Sequence, residues 1–177
     1  MSGFGPGSTH WDAGLAVRRD VVGDAHVDRS MAAVSEFSRP VQEFVTGALW
    51  GGVWTRDGLD RRTRSLLTIV MLTALGRNHE LSVHVRGAVR NGCTQEEIQE
   101  ALLQTVAYCG APAALEAFRV AESTLGELSD DDVAAGARAA GARAGEPGAT
   151  ARQDAGGDRG PRDTGGGGGH GGIRGRG

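Results

Sequence analysis

The sequence contains no lysine, and all nineteen of its basic residues are arginine. Without a side-chain amine the protein cannot form a Schiff base with a substrate carbonyl or attach pyridoxal phosphate, so lysine-based covalent catalysis is excluded. Cysteine is also scarce: Cys93 and Cys109 lie sixteen residues apart and form no C-x-x-C motif. This spacing supports neither a disulfide framework nor a zinc ribbon, and we expect both residues to be thiols.

Long hydrophobic runs and strong net charge are missing as well. The longest uncharged apolar run, residues 65–76, is too short to span a bilayer. Residues 1–9 have neither the basic start nor the apolar core of a secretory signal. A net charge of −3 gives no electrostatic reason to expect nucleic acid or an anionic membrane as a partner. We therefore expect a cytoplasmic protein that binds neither.

Helical periodicity dominates the first 128 residues, and no segment shows the alternating pattern of a strand. With 39% hydrophobic residues, the chain fits one globular domain. We predict an all-α domain of about six helices over residues 10–128. Residues 129–177 consist mainly of Gly, Ala, Arg and Asp, which bury too little apolar surface to offset their ordering entropy. We predict that this segment is a disordered tail.

The strongest helical pattern lies between residues 58 and 92. Asp60 is a plausible N-cap for an apolar helix that ends at Gly76, and we expect this helix to be largely buried. Asn78 is the expected cap of a second helix, which places Glu80 and His84 one turn apart beside an apolar stripe. Side chains at the edge of such a stripe can line a pocket between helices.

The segment before this pair is less regular. We predict a short amphipathic helix over residues 11–21, then a loop that contains His26 and Arg29, then a helix over residues 30–49 that is interrupted near Pro40. Two tryptophans follow around a pair of glycines, in the sequence WGGVW. Their indole rings could wall a pocket or fill the core, and both interpretations are open at this point.

Several motifs carry a resemblance to a known family. They are TRSL at residues 63–66, GRNHELSVH at 76–84 and AYCGAPAA at 107–114, with GDAHVDRSM upstream at 23–31. Over about residues 11–125 the chain resembles the carboxymuconolactone decarboxylase family, which is similar in fold to the AhpD-like alkylhydroperoxidases. The resemblance implies an AhpD-like helical domain that forms a homo-oligomer, a trimer or hexamer. His79 departs from the pattern, which more often has an acidic residue there.

The resemblance also implies an activity, the cofactor-free decarboxylation of 4-carboxymuconolactone to 3-oxoadipate enol-lactone in the protocatechuate branch of the β-ketoadipate pathway. Decarboxylation needs an electron sink, and this substrate supplies one, because electrons from its γ-carboxylate can flow through the double bond to the lactone carbonyl. The protein must then bind two carboxylates, stabilise the oxyanion and deliver a proton to the α-carbon. No metal and no organic cofactor is expected.

These requirements suggest roles for particular residues. His84 is the candidate proton donor, since histidine has an unperturbed pKa of about 6.5, and Glu80 would fix its orientation. Arg64 and Arg77 are candidates for binding the substrate carboxylates, because the guanidinium fork pairs with a carboxylate in bidentate fashion. Each has an ordinary structural alternative: a satisfied core histidine, an i,i+4 surface pair, or a solvated arginine face.

The upstream segment and the tryptophan pair add three further candidates for substrate binding, which are His26, Arg29 and Trp50. His26 and Arg29 match the upstream family segment but could equally hold a loop in place. Two alternative functions stay open. An AhpD-like thiol peroxidase or disulfide reductase needs a nucleophilic cysteine and a resolving partner, and a non-catalytic helical oligomer needs no site at all.

Overall fold

The computed structural model describes residues 3–144, with side chains described up to residue 142. Within this range the protein consists of eight α-helices and one π-helical segment, with no strand, so the predicted all-α class is confirmed. The helices are α1 (Thr9–Val22), α2 (Asp24–Ala32), α3 (Arg39–Phe44), the π-helical segment (Val45–Trp50), α4 (Arg61–Ala74), α5 (Asn78–Arg90), α6 (Gln95–Cys109), α7 (Ala111–Gly126) and α8 (Asp130–Ala144).

Local sequence sets several helix ends in the way the motifs predict. The Asp60 carboxylate accepts a hydrogen bond from the backbone N–H of Thr63 and caps α4. Thr94 and Glu97 form a reciprocal capping box at the start of α6. Gly76, with φ of 64°, ends the turn between α4 and α5, where an L side chain would be strained. The start of α5 differs by one residue, since its N-cap is Arg77 and not Asn78.

Two hydrophobic clusters form the core, and α5 contributes to both. The larger cluster joins α4, α5, α6 and α7 around Ile69, Leu81 and Ile98, none of which exposes more than 1% of its surface. The smaller cluster joins α1, α2 and the π-helical segment, and Val83 of α5 packs against it. Helix α5 therefore lies between the two clusters, and side chains from its start can face the space between them.

Two predictions for the ordered part were wrong. The predicted loop around residues 23–30 is helix α2, which is held by fully buried Val27 and by ion pairs from Arg19 to Asp24 and Asp28. The segment is mostly polar and Val27 is the buried residue of α2, so no apolar stripe in the sequence indicates this helix. Helix α4 is not largely buried either. Its apolar residues surround the helix, so one set packs inward while others stay exposed, including Leu67, Met71 and Leu75.

The ordered domain also extends beyond the predicted boundary at residue 128. Residues 130–144 form α8, which packs against α5, and the carboxylate of Asp132 pairs with Arg86 and Arg90. Gly136 lies directly on the backbone carbonyl of Val89, so small residues that look featureless in the sequence allow close packing here. The rest of the predicted tail, residues 145–177, lies outside the described residues. No helix within residues 3–144 is long and apolar enough to cross a membrane.

Candidate active site

A pocket of about 580 Å³ lies where α1, α2, the π-helical segment and the start of α5 meet. Helix α5 contributes its first two turns to the lining, and the π-helical segment contributes apolar side chains. The lining residues are Arg18, Val22, His26, Arg29, Ser30, Val45, Leu49, Trp50, His79, Glu80, Val83 and His84. Five of the seven residues singled out from the sequence, namely His26, Arg29, Trp50, Glu80 and His84, thus lie in one pocket.

His84 lies in an aromatic environment at this site. Its ring stacks on those of Trp50 and Trp54, with centroid distances of 6.1 and 6.2 Å, and the two indoles stack on each other at 4.9 Å. Both tryptophans are buried, and Trp50 also lines the pocket. The two interpretations of the tryptophan pair are therefore both correct, because the indoles fill the smaller cluster and present one ring to the pocket.

Burial makes His84 a neutral imidazole at pH 7. Its pKa is lowered to about 4, first by desolvation and second by the charge of His26, while the nearby carboxylate of Glu80 acts in the opposite direction. Its Nδ1 atom is buried and has no hydrogen-bond partner among residues 3–144. Glu80 is exposed and forms no hydrogen bond with His84 in this part of the chain. One ring nitrogen of His84 is therefore not used to hold the fold together.

Positive charge predominates around the pocket. Two arginines, Arg18 and Arg29, line it, and Glu80 is the one acidic residue among the lining residues. At His26 the pKa lies below its ordinary value, because of burial first and the charges of Arg18 and Arg29 next. Such a field favours an anionic ligand.

Arg18 is the pocket residue that the sequence analysis missed. It exposes 7% of its surface, and it donates hydrogen bonds to Thr46 Oγ1 at 3.2 Å and Ser30 Oγ at 2.9 Å. The sequence shows only two consecutive arginines in an amphipathic helix, and nothing in that pattern distinguishes Arg18 from Arg19. The apolar stripe of α1 gives a partial signal, because Arg18 neighbours Val17 and lies one turn before Val21 and Val22.

Arg64 and Arg77 do not line this pocket within one chain. Arg64, on α4, donates a hydrogen bond to the backbone carbonyl of Arg56 at 2.9 Å, and its Nε atom is buried without a partner among the described residues. Arg77 is exposed at the turn before α5. Their predicted role in binding substrate carboxylates stays a prediction.

Neither cysteine lines the pocket. Cys93 is buried in the larger cluster, and Cys109 lies at the end of α6. Within residues 3–144, no three His, Cys, Asp or Glu side chains are grouped so that they could hold a metal ion. What the pocket offers is one buried imidazole, one carboxylate, arginine side chains and an indole wall.

The fold and the site together define a class, a helical protein with an electropositive pocket built around a buried neutral histidine. The model of the carboxymuconolactone decarboxylase family matches residues 39–123. The match begins at α3 and ends within α7, so it includes His84 and Trp50 but not α1 and α2.

Curated relatives extend the match. A nitrosuccinic acid decarboxylase of Metarhizium robertsii is 42% identical over 120 residues, which are 68% of this chain and 84% of the relative. A 4-carboxymuconolactone decarboxylase of Acinetobacter baylyi is 44% identical over 115 residues, 65% of this chain and 86% of the relative. The chain belongs to the carboxymuconolactone decarboxylase family, and the resemblance seen in its motifs is confirmed.

Proposed function

We propose that this protein is a cofactor-free decarboxylase that converts 4-carboxymuconolactone to 3-oxoadipate enol-lactone in protocatechuate catabolism. The observation that carries the proposal is the pocket, where His84 stacks on Trp50 and arginines outnumber acidic groups. Membership of the family and 44% identity to a relative with this activity support the choice of substrate.

The names of the relatives indicate a shared chemical requirement. Nitrosuccinic acid carries a nitro group on the carbon next to one of its two carboxyls, and 4-carboxymuconolactone carries a carboxyl on the γ-carbon, next to a ring double bond that is conjugated with the lactone carbonyl. Each substrate is a dicarboxylic acid that contains its own electron sink. A protein acting on such a substrate needs to hold two negative charges and to manage one proton.

The reaction then proceeds in two balanced steps. The bond between the γ-carbon and its carboxylate breaks and CO₂ leaves. The electron pair moves through the ring double bond to the lactone carbonyl oxygen and forms a dienolate. Protonation at the α-carbon returns the electrons to a carbon–hydrogen bond and gives the enol-lactone. The pocket contributes positive charge near the developing oxyanion, which is the kind of preorganised stabilisation that lowers such barriers.

His84 is the proposed proton donor, and the substrate itself helps to protonate it. In the free protein the pKa of His84 is about 4. A bound dianion replaces water beside the imidazole and favours the charged form, so its pKa rises in the complex. Glu80 acts in the same direction, as its charge already raises the pKa of His84. We propose Glu80 as a positioning residue in this sense, with His26, Arg29 and Trp50 binding substrate.

Arg64 and Arg77 need a separate test because neither lines the pocket of the single chain. If a neighbouring subunit brings either residue to the site, changing it to alanine raises KM by about tenfold or more, as the loss of a charge-assisted bond does. An unchanged KM for both variants would restrict carboxylate binding to the arginines that line the pocket.

The direct experiment is a spectrophotometric assay with enzymatically generated 4-carboxymuconolactone, because decarboxylation moves the double bond out of conjugation with the carbonyl. We expect turnover by the full chain and, with the same preparation, little or none by His84→Ala. Nitrosuccinate is the second substrate to assay. If nitrosuccinate alone is consumed, the decarboxylase proposal stands with a different substrate, and if neither is consumed above the buffer rate, the proposal is wrong.

A thiol peroxidase is the less favoured alternative, because neither Cys93 nor Cys109 lines the pocket and no C-x-x-C motif is present. Peroxide reduction with a dithiol donor should therefore stay at background. Activity at the level of a thiol peroxidase, lost in Cys109→Ser, would reverse this preference.

We also propose that the protein is a homo-oligomer, a trimer or hexamer. Large apolar side chains are exposed on α4, α6 and α7, and a subunit interface would bury them. They are Leu67, Met71, Leu75, Leu103, Val106 and Leu115. Light scattering at micromolar concentration tests the proposal, and a monomeric mass would contradict it.

A further inference from the structure

Arg18 is a buried cation whose described partners are all uncharged. It donates to the hydroxyls of Ser30 and Thr46. In the amide orientation that matches donors with acceptors, the side-chain oxygen of Gln42 accepts from both terminal nitrogens of the same guanidinium. No carboxylate within residues 3–144 forms an ion pair with Arg18. Burial also lowers the pKa of this arginine, which records the cost of removing its charge from water.

The adjacent residue provides an internal contrast. Arg19 also lies on α1, and its guanidinium pairs with Asp24 at 2.9 Å and Asp28 at 2.6 Å, although it is more exposed and needs a counter-ion less. Carboxylates are thus available on α2 but none reaches the buried arginine. A buried charge without a counter-ion is destabilising, so an arrangement of this kind at a pocket wall fits a ligand that supplies the opposite charge.

We propose that Arg18 binds the carboxylate that the substrate retains through the reaction, with the hydroxyl of Ser30 donating a second hydrogen bond to it. Ser30 also lines the pocket, and it accepts from Arg18, so its own hydrogen is free to point to the same carboxylate. Because this assignment concerns the same pocket, it rests on the proposed function for the identity of the substrate.

The choice of the retained carboxylate follows from the chemistry. The leaving carboxylate loses its charge in the transition state, so a strong ion pair with it would stabilise the ground state more than the transition state and slow the reaction. The acetate side chain of the lactone keeps its charge from substrate to product. Arg18 can hold that group tightly without opposing the loss of CO₂, and it thereby orients the other end of the molecule.

Binding of a stable product analogue tests the assignment without any turnover. The probe is 5-oxotetrahydrofuran-2-acetate, which has the retained carboxylate and the lactone but no group that can leave as CO₂. Its methyl ester has the same shape without the charge. By calorimetry or NMR titration, the full-length protein should bind the acid and bind the ester at least about tenfold more weakly.

Three variants separate the role of Arg18 from a purely structural one. In Arg18→Met the affinity for the acid should fall by about 10- to 100-fold while affinity for the ester is unchanged. Arg18→Lys, which keeps the charge and loses the fork, should give an intermediate loss. Arg119→Met removes an exposed arginine of α7, outside the pocket, and should bind like the unmodified protein. If Arg18→Met does not fold, by circular dichroism, Arg18→Lys decides the question alone.

The outcomes distinguish this assignment from the proposed function. Equal binding of acid and ester, no binding of the acid, or full affinity in the Arg18 variants would overturn the role of Arg18. If 4-carboxymuconolactone is turned over and its KM is unchanged in both Arg18 variants, the function holds and the role is wrong. Arg18-dependent binding of the acid without turnover of the lactone would uphold the role and refute the substrate.

Discussion

Arginines are buried or half-buried beside α8 and at the pocket, and the two regions differ in whether a carboxylate pairs with them. Beside α8, Arg90 pairs with Asp132 at 3.1 Å and Arg86 does so at 3.4 Å, and the Asp132 carboxylate also accepts from the Ser129 backbone and hydroxyl. At the pocket, the partners of Arg18 among the described residues are hydroxyl and amide groups. Helix α5 carries Arg86 and Arg90 and also lines the pocket, so the two regions share one helix.

The difference distinguishes charge that is matched within the chain from charge that we propose binds a ligand. Burial alone would raise the pKa of Asp132, but hydrogen bonds from Ser129 and Arg90 outweigh it, so the pKa lies below the ordinary value. That group is matched within the chain. The pocket combines an arginine that pairs with none of the described carboxylates, a neutral histidine and a surplus of positive charge, which an anionic substrate would match.

The largest expected effect is at His84, and it concerns activity. His84→Ala should lower kcat roughly 10²–10⁴-fold if the imidazole delivers the proton, with less effect on KM. His10→Ala is the matched control, because His10 is an exposed histidine outside the pocket. Should kcat and its solvent isotope effect stay the same in His84→Ala, the histidine is structural and the proton comes from His26 or water.

The second-largest effect is expected at Asp132, in the region beside α8, and it should appear in the free energy of unfolding and not in activity. Asp132→Ala removes the carboxylate from two partly buried arginines and from the Ser129 backbone N–H at the start of α8, so we expect a loss of about 2 kcal/mol in the free energy of unfolding. KM should not change. Asp131→Ala, one residue earlier and exposed, is the control and should stay within about 0.5 kcal/mol. A raised KM with unaltered denaturant midpoint in Asp132→Ala would contradict the division between the two regions.

Acidification should affect the two regions in different pH ranges. The pKa of His84 is about 4 in the folded protein against about 6.5 unfolded, so the unfolded chain takes up the proton first. The contribution of His84 to the free energy of unfolding is therefore present above pH 6.5 and is lost as the pH drops toward 4. Between pH 7 and pH 5 the free energy of unfolding should fall by about 2 kcal/mol. The pKa of Asp132 is lowered in the folded protein, so its contribution to stability is lost only when the pH falls below the ordinary pKa of a carboxyl.

Urea unfolding at pH 7 and pH 5 measures this difference. In His84→Gln most of the pH dependence over this interval should disappear, whereas Asp132→Ala should retain it. If the free energy of unfolding falls equally between pH 7 and pH 5 in His84→Gln and in the unmodified protein, other groups cause the acid sensitivity.

The smallest effect is expected from the end of the chain. Removal of residues 145–177 should change the thermal midpoint and turnover little, because that segment has no apolar periodicity with which to pack. Removal of residues 130–177 takes away α8 as well, and it should destabilise the protein at least as much as Asp132→Ala does. Two truncations with the same thermal midpoint would show that α8 contributes nothing.

The helices of the larger cluster were predictable because their signals are local. Asp60, the Thr94 and Glu97 capping box, and the glycines after α4 and α6 act within one turn of the helix ends, so the sequence identifies them directly. His84 and Glu80 were identified for a similar reason, since a spacing of four residues places them on one helix face.

Helices α2 and α8 were missed because contacts with other helices stabilise them. The residues of α8 are small or charged, and its packing depends on Arg86 and Arg90, more than forty positions earlier in the chain. Helix α2 depends on the fully buried Val27 and on Arg19. Local propensity is a weak guide where tertiary contacts supply most of the stability.

The sequence by itself determined the all-α class, the ends of four central helices, the absence of lysine chemistry and the histidine on α5, because each follows from composition or from spacing within a few turns. Only the tertiary structure distinguished Arg18 from Arg19, since burial and the position of counter-charges are properties of the packed chain. It also placed Arg64 and Arg77 outside the pocket. The charge of a side chain can be known from the sequence, but its burial and its counter-charges depend on which other helices surround it.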